Sequence, residues 1–154
     1  MPRAPQSGIT LIEMLVVVTL VGLLAGISYP SVAAGLDTLR LTQACDTAAS
    51  LLNGALNRAE RRQEAVEIEI ARQARTITLR GALPGFQRAF TLPGGVAIDR
   101  VLPAAGDGEE DVRRFLVYPN GSVPRIAIEF SNTRGAKRRL RLDPITGVPH
   151  VERM

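Results

Sequence analysis

Residues 8–30 read GITLIEMLVVVTLVGLLAGISYP, and every other part of the chain is interpreted against this stretch. From Ile9 to Tyr29 there are 21 residues with one charge, Glu13. As a helix this run spans about 31 Å, close to the hydrocarbon thickness of a bilayer. It is apolar on every side, so lipid is its natural solvent. The leader MPRAPQSG carries one charge, Arg3, and its two prolines make it a poor helix. A cationic leader stays in the cytoplasm and directs the remainder outward. Pro30 lacks a backbone donor, so a kink is expected there. Gly22 and Gly26 form a small-xxx-small pair that permits close helix approach, or they are ordinary membrane-helix glycines.

Three readings compete for this segment. Val32-Ala33-Ala34 resembles the cleavage site of a secretory signal. A plain membrane anchor is the second reading. The third turns on Glu13, because a carboxylate one turn into a membrane helix is costly unless paired. A cut between Gly8 and Ile9 gives Ile9 a free amine four residues from Glu13. In an assembly, Glu13 then pairs with the Ile9 amine of a neighbouring subunit.

Gly8-Ile9-Thr10-Leu11-Ile12-Glu13, with the apolar run and Pro30 behind it, resembles the class III signal of type IV pilins and type II secretion pseudopilins. The usual string is G-F-T-L-I-E; Ile9 stands where Phe is commonest. The resemblance implies a prepilin peptidase that cuts after Gly8 and methylates the Ile9 amine. It also implies assembly roles for Glu13 and Pro30.

Charge is segregated elsewhere too. Of 34 charged side chains, 33 lie outside residues 9–36, and the net charge is +4. That explains a mean hydropathy of +0.09 in a chain that is 22% charged. One Cys and one His exclude the common four-ligand zinc sites, a disulfide framework and a CxxC pair. No Ser/His/Asp or Cys/His set is plausible, and no P-loop or GxGxxG occurs. We therefore expect no enzyme, no metal and no cofactor. Asp107, Glu109, Glu110 and Asp111 lack EF-hand spacing and read as a solvated loop rather than a Ca²⁺ site. His150 reads as a surface residue.

From Ser31 to Arg62 the pattern is amphipathic. Leu41, Ala44, Cys45, Ala48, Leu51, Leu52, Ala55, Leu56 and Ala59 share one arc at 100° spacing. Gln43, Asp46, Ser50, Asn53, Asn57 and Arg61 fall opposite. Cys45 reads as a small buried hydrophobe. Leu36 and Leu39 lie off the arc, free to meet neighbouring helices. After Gln63 the period falls to 2. Val66–Ile70 and Thr76–Arg80 read as a hairpin, and Phe86–Leu92 with Val96–Leu102 as a second pair around Pro93-Gly94-Gly95. Phe115–Tyr118, Ile126–Phe130, Leu140–Leu142 and Val148–Val151 complete seven or eight short strands. Pro119-Asn120-Gly121 and Asp143 to Gly147 supply turns, and Ser131 to Lys137 a polar loop.

The expected fold is α+β: a long N-terminal helix, half membrane-type and half amphipathic, packed on an antiparallel β-sheet domain. Its parts are a leader at 1–8, a transmembrane and assembly helix at 9–30, an amphipathic helix at 31–62, and a β domain at 63–154.

The tail LVYPNGS…RIAIEFSNTRGAKRRLRLDPITGVPHVE is similar to the C-terminal half of the pseudopilin H/FimT-like family. That resemblance implies a minor pseudopilin at the tip of a type II secretion pseudopilus, taking part in protein export. Its partners would be the prepilin peptidase, the other minor pseudopilins, the major pseudopilin and the inner membrane. It would cross that membrane once, with the β domain in the periplasm. The alternative is a FimT-like minor type IV pilin that binds DNA for uptake. For that reading the candidates are Lys137, Arg139 and Arg141, which share one strand face if Leu140 and Leu142 turn inward. The other reading of that face is a solvated or subunit-contacting surface, with acidic neighbours compensating it within an assembly.

Overall fold

The computed structural model describes residues 9–83, 85–104, 111–119 and 122–154, apart from the side chains at 30 and 31. Gly8 and the rest of the leader, Asn120-Gly121 of one expected turn, Pro84 of another, and Asp107, Glu109 and Glu110 lie outside the described residues. The chain divides into two compact units, Met1–Leu36 and Asp37–Met154.

Helix α1 runs Leu11–Arg62 and passes through Pro30 without ending there. Thr10 caps it: its carbonyl and its hydroxyl both accept the Glu13 N–H, at 3.1 and 3.3 Å. Thr10 and Glu13 thus have the spacing of a capping box, and Glu13 sits where the helix dipole favours an acid. At the other end Gln63 takes a left-handed φ of 52° and donates its side-chain amide to the Glu60 carbonyl. Arg61 and Arg62 occupy the last turn, where cations suit the dipole.

In the first unit the described side chains of α1 are mostly exposed, and fourteen large apolar residues from Ile9 to Tyr29 are among them. In the second unit the arc found from the sequence faces inward. Leu41, Ala44, Cys45, Ala48, Leu52, Ala55 and Ala59 are buried, and Leu51 and Leu56 are half-buried. The residues of the opposite arc are exposed. Four alanines on the buried side let the helix lie close against the sheets.

Eight strands follow among the described residues: β1 Val66–Ala71, β2 Thr76–Gly81, β3 Gln87–Thr91, β4 Val96–Leu102, β5 Val112–Val117, β6 Ala127–Asn132, β7 Lys137–Leu142 and β8 Pro149–Arg153. They form two antiparallel four-stranded sheets, β3-β2-β1-β5 and β4-β6-β7-β8. Ile68, Ile70, Ile77 and Leu79 of the first sheet and Ile128, Phe130, Leu140 and Leu142 of the second join the helix arc in one core. The fold is therefore the expected α+β arrangement of one long helix on antiparallel sheets.

One expected pairing is wrong. β3 and β4 do not form a hairpin; β3 pairs with β2 and β4 with β6. Leu92 and Val96, on either side of Pro93-Gly94-Gly95, are both buried, and that connection carries the chain from one sheet to the other. Leu92 donates its N–H to the Arg75 carbonyl, while Thr133 donates to Gly95, so each flank is held by a different sheet's turn. Other boundaries also move: β5 runs from Val112 to Val117 rather than from Phe115 to Tyr118, Ser131, Asn132 and Lys137 are strand residues rather than loop, and the last strand begins at Pro149.

Candidate functional site

Two regions carry the residues singled out by the sequence. The first is the N-terminal segment. Its helix is long and apolar enough to cross a membrane by length and composition. Ile9 is 73% exposed and lies two residues ahead of the first helical residue, Leu11. A free amine at Ile9 would therefore sit at the positive end of the helix dipole, next to the turn that holds Glu13. No other charged side chain is present between Ile9 and Leu36. The acid and the new terminus are thus each other's nearest source of charge along the helix.

The second region is the outer face of sheet β4-β6-β7-β8. Leu140 and Leu142 are buried, so Lys137, Arg139 and Arg141 project together from the opposite face. Each meets a carboxylate of this same chain. Arg139 binds Glu129 on the neighbouring strand at 2.7 Å, using both Nε and Nη2. Arg141 reaches Glu152 at 3.3 Å, and Lys137 reaches Asp99 at 3.0 Å. The compensation expected from partner subunits is therefore supplied within the molecule.

Register explains these pairs. Arg139 lies opposite Glu129 and Glu152 on its two flanking strands. β4 breaks register between Ile98 and Arg100, and the extra residue, Asp99, is turned toward Ser131 and Lys137. Burial pushes the Asp99 carboxyl up, but the hydrogen bonds from Ser131 and Lys137 together hold it below its ordinary range. The other sheet has a similar face, where Arg80 and Arg114 both bind Glu69, at 3.2 and 2.9 Å. The Arg114 hydrogen bond holds the Glu69 carboxyl below its ordinary range.

The Asp143-Pro144-Ile145-Thr146-Gly147 segment has a structural role. The Asp143 carboxylate accepts the Ile145 and Thr146 N–H groups, at 2.8 and 2.9 Å, which lowers its pKa. Gly147 has φ +71°, and a Cβ there would lie 3.2 Å from Leu56 and 3.3 Å from Val123. Asp111, from the acidic loop, accepts the Gln73 N–H and ties down the β1–β2 turn. Among the described residues no group of His, Cys, Asp or Glu is placed to hold a metal ion. Burial pushes the Cys45 thiol up to about 11, so it stays protonated in the core.

Sequence reasoning missed the Arg58–Glu64 pair. Glu64 is buried at the start of the β region, 2.6 Å from the Arg58 guanidinium, which also stacks 3.8 Å above the Phe86 ring. The only signal was an acid next to the switch from helical to strand period, and burial is not readable from that.

Comparison with known proteins adds one finding. Residues 3–29 match the family model of the prokaryotic N-terminal methylation motif. The chain matches no curated protein and no solved structure. The motif covers the leader and the apolar half of α1, the segment that contains Ile9 and Glu13. Together with the apolar helix it supports a pilin-like protein with a single-pass membrane anchor. It fits processing by a prepilin peptidase and assembly with other pilin-like subunits.

Proposed function

We propose that this chain is a minor pseudopilin of a type II secretion system, a structural subunit of the pseudopilus tip rather than an enzyme. The observation that carries the reading is a lone carboxylate, Glu13, at the start of α1 in a stretch to Leu36 with no other charge, most of which the methylation motif covers. A prepilin peptidase cuts between Gly8 and Ile9 and methylates the new amine. The subunit waits in the inner membrane with its β domain in the periplasm. Extraction into a fibre replaces lipid by neighbouring apolar helices, and Glu13 pairs with an adjacent Ile9 amine to set the register. The minor and major pseudopilins are its partners. The tail similar to the pseudopilin H/FimT-like family supports placement at the tip.

A FimT-like minor pilin that binds DNA is the second reading, supported by Lys137, Arg139 and Arg141 on one strand face. The ion pairs of all three weigh against it, since a phosphate would have to compete with a carboxylate already in place.

Intact-mass analysis tests the processing step. The mature chain should lack residues 1–8 and carry one added methyl group. A chain beginning at Gly35 would instead establish the secretory signal. Glu13→Ala should leave cleavage intact and abolish most incorporation into fibres; wild-type incorporation would sink the pairing argument. Retention of DNA by the wild type and its loss in Arg139→Glu/Arg141→Glu would favour the second reading.

A further inference from the structure

We propose that β3 takes an extended segment of a partner protein as an added antiparallel strand, and that Arg88 selects a segment with a carboxylate on its helix-facing side. The backbone provides the first argument. Leu92 donates its N–H to the Arg75 carbonyl, and Gly81 donates to Phe86. These bonds fix the phase of the β2–β3 ladder, in which Arg88 lies opposite Leu79 and Phe90 opposite Ile77. Arg88 and Phe90 therefore turn their backbone groups to β2, while Gln87, Ala89 and Thr91 turn theirs away from the sheet. Those three residues are exposed, so a row of free donors and acceptors faces outward.

The other sheet edges are protected. β4 is bulged at Asp99, β8 begins with Pro149 and carries Glu152 and Arg153, and β5 has Arg113 and Arg114 side by side. Bulges, prolines and charges are the devices that keep an edge from pairing. β3 has no proline and no register shift, and Arg88 is its only charge.

Side chains define what fits. Ile77 and Leu79 are buried, so their cross-strand neighbours Phe90 and Arg88 lie on the same, helix-facing side of the sheet. Between β3 and α1 is a cleft of about 180 Å³, bounded by Ser50, Leu51, Gly54, Arg58, Phe86 and Arg88. Its helix wall is open, since a Cβ at Gly54 would meet nothing within 4 Å. Every second side chain of an added strand points toward this cleft. Arg58 is already held by Glu64. Arg88 is exposed and has no hydrogen bond or ion pair with any described residue. A carboxylate opposite Arg88 completes a charge pair, and an apolar residue opposite half-buried Phe90 extends the core. The whole site lies within the second unit.

The probe is the acetylated and amidated peptide Thr-Val-Thr-Glu-Thr-Val-Thr, titrated calorimetrically into the full chain in a nonionic detergent. Binding should be saturable and should slow amide hydrogen exchange at Gln87, Ala89 and Thr91 by roughly tenfold or more. Replacing the peptide's glutamate by glutamine should weaken binding by about threefold or more, and Arg88→Glu should weaken it by about tenfold. Arg125→Glu makes the same charge change at another exposed arginine and should leave the affinity within about twofold. Ala89→Pro removes the central outward donor without touching a β2 bond, so the fold should survive and binding should vanish. The glutamine peptide keeps the test independent of how any variant folds. The proposal is overturned by no binding to the wild type, by equal affinity for the two peptides, or by equal weakening in Arg125→Glu. Undiminished binding to a folded Ala89→Pro, or slowed exchange on β4, β5 or β8 in place of β3, overturns it as well. Self-association that Ala89→Pro abolishes, with no peptide bound, would assign the edge to a second copy of this chain and overturn the acidic partner. Peptide binding requires neither cleavage nor a fibre, so its failure leaves the assembly reading standing.

Discussion

Single side chains on the outer sheet faces differ sharply in what they stabilise. Glu129 is 6% exposed, so removing its partner strands a charge that water barely reaches. We expect Arg139→Ala to cost about 1–3 kcal/mol, measured by chemical denaturation of the full chain in detergent. Arg141→Ala, whose pair is half open to solvent, should cost less than about 0.5 kcal/mol. Equal costs would show that burial of the acid does not matter. The sequence made the cationic face of β7 legible, because alternation with Leu140 and Leu142 fixes which side chains project together. Its partners were not legible. Pairing depends on inter-strand register, and Asp99 reaches Lys137 only because β4 is bulged. Acid sensitivity follows from these same carboxylates. Glu69 and Asp99 have folded-state pKa values below their ordinary ones. Their contribution is complete above the unfolded-state pKa and disappears as pH falls through the depressed folded value. The melting temperature should therefore hold from neutral to about pH 5 and fall below about pH 4. Arg114→Ala should flatten part of that fall.

At the scale of elements, turns decide what periodicity cannot. The helix arc was read correctly because its pattern repeats over about five turns of α1, from Leu41 to Ala59. Phe86–Leu92 and Val96–Leu102 were misassigned because a Pro-Gly-Gly connection can close a hairpin or carry the chain between sheets. Their alternation is compatible with either partner. Only the packed partners, β2 and β6, settle it. Two turns give direct tests. Arg75 holds φ 53° in the β1–β2 turn with its side chain exposed. Arg75→Gly should raise stability by about 0.5–1 kcal/mol, since glycine takes that conformation without a Cβ clash. Gly147 is the opposite case, with a positive φ and no free space. Gly147→Ala should cost about 1–3 kcal/mol and disturb Leu56 on α1. Denaturant midpoints of the two variants should move in opposite directions.

At the scale of the molecule, the second unit has one core shared by two sheets and half of a helix. Phe130, fully buried among them, should cost about 3–5 kcal/mol on truncation to Ala, and the unit should still melt in one step. A separate early transition in far-ultraviolet dichroism would show that the sheets fold independently. The first unit obeys different rules. Fourteen large apolar side chains from Ile9 to Tyr29 have no cover of their own. Bringing them all into water costs on the order of 20 kcal/mol. A water-dissolved subunit with a bare stem is then about 10¹⁵ times rarer than one whose stem is covered. For the assembly proposed above, departure from the bilayer cannot be a release followed by a search. The receiving surface has to touch the stem while lipid still surrounds it, and each turn must change neighbours without an aqueous interval. On that reading the traffic of this chain is a relay between two oils, and its rate is set by how closely the second can be brought to the first.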